Sequence, residues 1–236
     1  MAKLDKTLLE NLRSFSSATI FNAVVETMGA TQGGRELEDK GGQPTCYTNH
    51  HLKYLTPEFG NIAGYAVTVE VTAIDPDSPS KPWMDYYKVL NETSGPIITF
   101  MKDIDAQKNR GASFGDNMAA VHKNLGVVGA IIEGTVRDLK GIKNVGMPIW
   151  GYGLVPGHGI FNLCNVNQTI QIADITVSPG DLAIADDEGC TIIPNNLDPY
   201  AVLNQAKTII DRENKFQNLV KSPSFSLADW EDIAST

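Results

Sequence analysis

Two apolar runs constrain the fold of this 236-residue chain more than any other feature. PIITFMK (Pro96 to Lys102) and VVGAIIE (Val127 to Glu133) each read as a strand buried on both faces, the pattern of a parallel sheet. Between them lie a glycine-bearing loop and a helix, GASFGDNMAAVHKN. Strand, helix and strand in that order make a βαβ unit, whose parallel strands end at one edge of the sheet. Asp116 and the Arg137-Asp138 pair are separated by twenty residues, the length of one helix and one strand. Both are therefore expected at that edge, each just past the end of one of the two runs. Neighbouring strands lie about 4.8 Å apart, so two carboxylates, one guanidinium and a helix N-terminus can converge there. Open α/β sheets bind ligands at such an edge.

The flanking sequence supports a mixed α/β chain. Leu4, Leu8, Leu9 and Leu12 recur at helical spacing, and Ala18 to Met28 reads as a helix stopped by Gly29. Residues 30–60 read as a long loop, followed by a half-buried strand of alternating Tyr65, Val67, Val69 and Val71. PWMDYYKVLNE reads as a helix after a turn-forming segment, Asp75 to Pro82. A short helix is expected over Leu139 to Val145 and a strand over Met147 to Leu154. Three short strands follow, at Thr169 to Val177, Asp181 to Asp186 and CTIIP, punctuated by Pro179-Gly180 and Glu188-Gly189. A C-terminal helix is expected from Pro199 to about Val220, with Val202, Leu203, Ala206, Ile209 and Ile210 on one side. The segment near 75–82 reads as an internal loop, so one domain is expected over 1–236.

Composition narrows the function classes. Hydrophobic content of 42% and charged content of 20% are those of an ordinary globular protein. A net charge of −9 argues against a nucleic-acid surface, which needs clustered Lys and Arg. Cys46, Cys164 and Cys190 have no metal-ligand spacing, and Cys190 reads as a small buried hydrophobe. With no apolar leader and no run of about 18 apolar residues, no membrane span is expected and the default compartment is cytoplasmic.

The chemistry-bearing residues cluster in the βαβ unit. Gly111 and Gly115 let successive amides turn towards one point, and the helix that follows adds partial positive charge, which suits a carboxylate or phosphate. Taken alone, the loop favours the plainer reading, Asp116 as an N-cap of that helix. Arg137 and Asp138 would, in isolation, be a solvated pair; following an apolar strand, they fall at the same edge as the glycine loop. The guanidinium fork suits a carboxylate held in two-point contact. Asp138 and Asp116 suit a hard divalent cation such as Mg²⁺, which takes one or two carboxylates and completes its shell with water and substrate oxygens. No His spacing of a metalloprotease and no nucleophile elbow occurs; His50, His51, His122 and His158 lie outside any such motif. Lys123 and Lys140 flank the unit without an apolar pocket to activate an amine.

At these residues the chain resembles the RraA family, whose aldolase branch carries Asp, twenty residues, then Arg-Asp, here Asp116, Arg137 and Asp138. The likeness extends through SATIFNAVVETMG, GVVGAIIEGTVRD and PGDLAIADDEGCTIIP. It implies a compact α/β/β/α sandwich related to swivelling β/β/α domains. It also implies a class II aldolase cleaving 4-hydroxy-4-methyl-2-oxoglutarate or 4-carboxy-4-hydroxy-2-oxoadipate to pyruvate, with oxaloacetate decarboxylation as a side activity. Amides of Gly115, Asp116, Asn117 and Met118 would hold the substrate carboxylate, and Arg137 would bind the keto acid and favour its enolate. Asp138 would ligate Mg²⁺ or Mn²⁺, with Asp116 acting through water. The family forms trimers or hexamers with sites at subunit boundaries, and Glu213 is the candidate carboxylate from a neighbour. A solvated helix-face charge is the plainer reading of Glu213. Two segments depart from the family pattern: 33–60, and Asp75 to Thr93 with Trp83, Tyr86 and Tyr87. The family's Gly-Pro turn reads PGHG here. The alternative function is a non-catalytic regulator that binds and inhibits a ribonuclease, to which an acidic surface is suited.

Overall fold

The computed structural model describes residues 6–30, 37 and 45–234. Leu4 of the first leucine series, and residues 31–36 and 38–44 of the expected loop, lie outside them. The chain opens with α1 (Lys6–Leu12) and α2 (Ser17–Thr27). The Ser16 hydroxyl accepts the Thr19 amide to cap α2, and Gly29 ends it at φ +89°. Next come β1 (Lys53–Tyr54), β2 (Ile62–Thr72), α3 (Trp83–Glu92), β3 (Ile97–Asp103) and β4 (Ala112–Phe114). They are followed by α4 (Asp116–Asn124), β5 (Val127–Glu133), β6 (Thr135–Val136), α5 (Leu139–Val145), β7 (Ile149–Gly151) and β8 (Gly153–Leu154). The chain continues through β9 (Asn162–Val166), β10 (Ile170–Ile172), β11 (Ile175–Val177), β12 (Leu182–Asp186), β13 (Gly189–Ile193), α6 (Pro199–Val220) and α7 (Leu227–Ala234).

An eight-stranded sheet carries the fold, in the order β1-β7-β5-β3-β2-β12-β13, with β9 alongside β2. Its centre, β2-β3-β5-β7, is parallel. β3 and β5, the two runs that define the βαβ unit, pair directly through Ile98–Gly129 to Lys102–Glu133. Side chains alternate between two cores. Ile97 and Met101 face α3, α4 and α5 with Tyr86, Leu90, Ala119 and Ile142, while Ile98 and Phe100 face inward towards the β10-β11 hairpin. Ala183 and Ile192, from the other end of the sheet, join that same inner core. The sheet therefore curls around a shared interior. Leu182, Ile184 and Ile193 point outward to α1, α2 and α6. The result is the mixed α/β sandwich of the expected class.

Four local expectations are corrected. The run Thr169 to Val177 is a hairpin, not one strand: Ala173 (φ 48°) and Asp174 (φ 68°) turn it back between β10 and β11. β2 begins three residues before Tyr65, because Ile62–Tyr65 pairs with β12. The expected strand Met147 to Leu154 divides at Tyr152 into β7 and β8, which belong to different sheets. Finally, Gly115 and Arg137 do not follow the ends of β3 and β5. They follow β4 and β6, which with β8 form a separate three-stranded parallel sheet. β5 and β7 run past the main sheet and supply β6 and β8, crossing at Gly134 and Tyr152, where the Tyr152 amide bonds the Gly134 carbonyl at 2.9 Å. Gly134 has no room for a side chain: a Cβ there would lie 2.9 Å from Ser113 Oγ and 3.2 Å from Asp103 Cβ.

Candidate functional site

A cavity of about 370 Å³ opens where β4 and β6 end, within the range of small-molecule sites, roughly 300–1,000 Å³. Gly115, Asp116, Asn117, Met118, Arg137 and Asp138 all line it. The small sheet brings them together: the Arg137 amide bonds the Phe114 carbonyl at 2.9 Å, so the residues following β4 and β6 lie side by side.

Each side chain is set by its backbone. Gly115, not Asp116, is the N-cap of α4, and Asp116 is the first helical residue; the plain-cap reading of Asp116 is corrected. The amides of the first helical turn have no intrahelical acceptor. One of them, on Asn117, donates to Asp116 Oδ1 at 2.7 Å. The other oxygen of Asp116 lies over Gly141 of α5, where a Cβ would sit only 2.3 Å from it. Gly141 therefore leaves space that the Asp116 carboxylate fills. Asp138 adopts the left-handed conformation (φ 57°, ψ 39°) at the N-cap of α5, yet makes no capping hydrogen bond. Its Oδ2 instead forms an ion pair with Arg137 Nε at 3.1 Å. That pairing leaves the two terminal nitrogens of Arg137 without a protein acceptor among the described residues, at a side chain one-third exposed. Gly115 completes the cluster, since a Cβ there would be 3.5 Å from both Arg137 Nε and Asp138 Oδ2.

No group of three or more His, Cys, Asp or Glu among the described residues is arranged as a metal site. The donor set nevertheless fits a hard divalent ion that keeps most of its water: two carboxylates on one cavity, one of them half exposed and free of its usual capping role. Asp138 would be the direct ligand, and Asp116 would act through water.

The remaining lining comes from elsewhere. Ala112 bridges to His158, which sets the 158–161 loop beside the start of β4. Tyr87, Val121, Ile160 and Phe161 contribute an apolar wall to the lining, of which Val121 and Ile160 are exposed. Gly159 lets that loop dock, for a Cβ would collide with the Ala73 carbonyl. The aromatic excess at 83–87 signalled Tyr87 in the sequence, whereas nothing there marked Val121, Ile160 or Phe161.

Other candidates resolve into structure. His122 is fully buried: Nδ1 donates to the Met118 carbonyl at 2.7 Å and Nε2 lies 2.7 Å from Tyr86 Oη, with Thr99 beyond. Burial pushes its pKa down to about 4. Lys123 Nζ donates to the carbonyls of Val145 and Gly146 at the end of α5. His50 and His51 lie against each other at a tilt, ring centroids 4.0 Å apart, and neither lines the cavity. Cys46, Cys164 and Cys190 are all buried thiols, and burial raises Cys46 to about 11. Glu213 is exposed on α6 and does not line the cavity of its own chain. Among the described residues no helix is long and apolar enough to cross a membrane.

Known proteins share this architecture. A family model described as RraA-like, Aldolase/RraA, matches residues 18–192. An uncharacterised protein from Methanocaldococcus jannaschii is 26% identical over 78% of this chain and 83% of its own. A protein of Halalkalibacterium halodurans provisionally named 4-hydroxy-4-methyl-2-oxoglutarate aldolase is 28% identical over 64% of this chain and 67% of its own. The crystal structure of Streptomyces coelicolor RraAS2, described as an unusual member of the RNase ES inhibitor RraA family, superimposes with a TM-score of 0.66. It is 20% identical and covers 91% of this chain and 97% of that one.

Proposed function

The chain belongs to the RraA-like family, and from that footing we propose that its cavity is the active site of a divalent-metal-dependent lyase. The substrate class is a 4-hydroxy-2-oxo acid, cleaved to pyruvate and a second carbonyl compound, and oxaloacetate is decarboxylated through the same enolate. One observation carries the reading. Asp138 holds a left-handed conformation that no cap requires, and its carboxylate faces Arg137 on the cavity instead. The provisional name of the Halalkalibacterium relative agrees with it.

A divalent cation held by Asp138 and, through water, by Asp116 would supply Lewis-acid polarisation to the substrate's keto group. The free terminal nitrogens of Arg137 bind the keto acid in two-point contact and hold negative charge as it develops. First-turn amides of α4 orient the C1 carboxylate. The C3–C4 bond breaks as the 4-hydroxyl loses its proton to a water held by Asp116. C4 becomes a carbonyl, and the electron pair moves into the pyruvate enolate. The same water then returns the proton to C3, which completes pyruvate. A trimer or hexamer would let Glu213 of one subunit reach a neighbour's cavity.

The test is pyruvate release from oxaloacetate with Mg²⁺, with and without chelator. The expected result is loss of activity with chelator and a fall of at least a hundredfold in kcat/KM, about 2.7 kcal/mol, for Arg137→Lys and Asp138→Ala. Activity indifferent to chelator, or kept by either variant, would overturn the reading. A ribonuclease-binding regulator would show no turnover and would need neither residue.

A further inference from the structure

The apolar wall narrows the substrate class, an inference that rests on the lyase reading. We propose that the fragment released with pyruvate is neutral and hydrophobic, so that the substrate is a 4-hydroxy-2-oxo monocarboxylic acid with an aromatic or branched aliphatic tail.

Charge decides this. Arg137 is the one Lys or Arg among the described residues lining the cavity, and it is already paired with Asp138 and assigned to the keto acid; His158, the other basic side chain on the lining, has its Nδ1 engaged by the Gly159 carbonyl at 2.7 Å. A second carboxylate on the tail would be pressed against Tyr87, Val121, Ile160 and Phe161. It would lose part of its water there with no further Lys or Arg among the described lining residues to pair it, which is unfavourable. The tail is directed there by the layout of β4: the carboxylate-binding residues follow its C-terminal end, and the 158–161 loop bridges its start at Ala112.

The wall is also held in place. Trp83 packs on Phe161 with ring centroids 5.5 Å apart, and its Nε1 donates to the Phe161 carbonyl at 3.1 Å. Tyr87 packs beside both Trp83 and Tyr86, at 6.2 and 5.7 Å. Phe161 is kept at φ 70° although it is not glycine, a conformation costing of order 1–3 kcal/mol that surrounding contacts must offset. A fixed aromatic surface recognises an apolar tail without ordering cost on the protein side.

Calorimetric titration with unreactive 2-oxo acids in the presence of Mg²⁺ tests the inference by binding alone. 2-Oxo-4-phenylbutanoate should bind at least tenfold more tightly than 2-oxoglutarate. Ile160→Arg or Val121→Lys, each adding a cation at an exposed wall position, should cut that ratio at least fivefold; two variants guard against misfolding of one. Equal or tighter binding of 2-oxoglutarate by the unaltered protein overturns the inference even where chelator-sensitive oxaloacetate decarboxylation is present and the lyase stands. Tight binding of the phenyl compound without decarboxylation overturns the lyase and leaves the apolar subsite. Failure of both acids to bind overturns both.

Discussion

Asp138 and His122 differ in setting: Asp138 lines the cavity, whereas His122 is fully buried. At φ 57° Asp138 is a position where glycine would be relaxed, and relief of such strain is worth about 1 kcal/mol. Asp138→Gly should therefore be about 1 kcal/mol more stable to urea than Asp138→Ala, while both lack lyase turnover. Equal stabilities would mean that the left-handed backbone carries no strain. His122 acts through pH. Its folded pKa of about 4 lies below the ordinary His value near 6.5, so the unfolded chain binds the extra proton between those values. Stability is then complete above about pH 6.5 and falls as pH drops towards 4, by on the order of 3 kcal/mol. Urea unfolding of His122→Gln should lack that slope. A parallel pH dependence in both proteins would place the acid sensitivity elsewhere.

At the scale of elements, the close approach of α4 and α5 depends on Gly141. Alanine is the better helix former by about 1 kcal/mol, yet its Cβ would displace the Asp116 carboxylate. Gly141→Ala should lower kcat/KM at least tenfold with little loss of thermal stability. Unchanged kinetics would remove Asp116 from the reaction. The elements themselves were legible where pattern and burial agree. β3 and β5 are apolar runs buried on both faces, and α2 has a capping serine and a stopping glycine. The β10-β11 turn was hidden because Ala173 and Asp174 take left-handed conformations without the Asn-Gly or Asp-Gly pair that signals them. β4, β6 and β8 were hidden for another reason. Strands of two or three residues carry no period, and the transfer of β5 and β7 into a second sheet is fixed by tertiary contacts around Gly134. Asp116, Arg137 and Asp138 meet all the same, because β4 and β6 are parallel neighbours whose ends lie side by side, as the ends of β3 and β5 were expected to. The apolar wall was less legible, since ordinary hydrophobic residues on a helix and a loop look like core until the fold places them.

For the whole molecule, a cation held by Asp138 and Asp116 should couple to folding. A ligand at a hundred times its dissociation constant adds about 2.7 kcal/mol, so saturating Mg²⁺ should raise the Tm of the unaltered protein by several degrees and that of Asp138→Ala by almost nothing. Equal shifts would move the ion to another site. The architecture has a longer-term consequence. Arg137 is anchored to a continuation of a core strand, whereas Tyr87 and the 158–161 residues stand on a peripheral helix and a connecting loop. Replacement or lengthening of those outer parts can reshape one side of the cavity while the Arg137–Asp138 pair stays fixed. Descendants of this scaffold are thus free to diversify in diet without reinventing their chemistry.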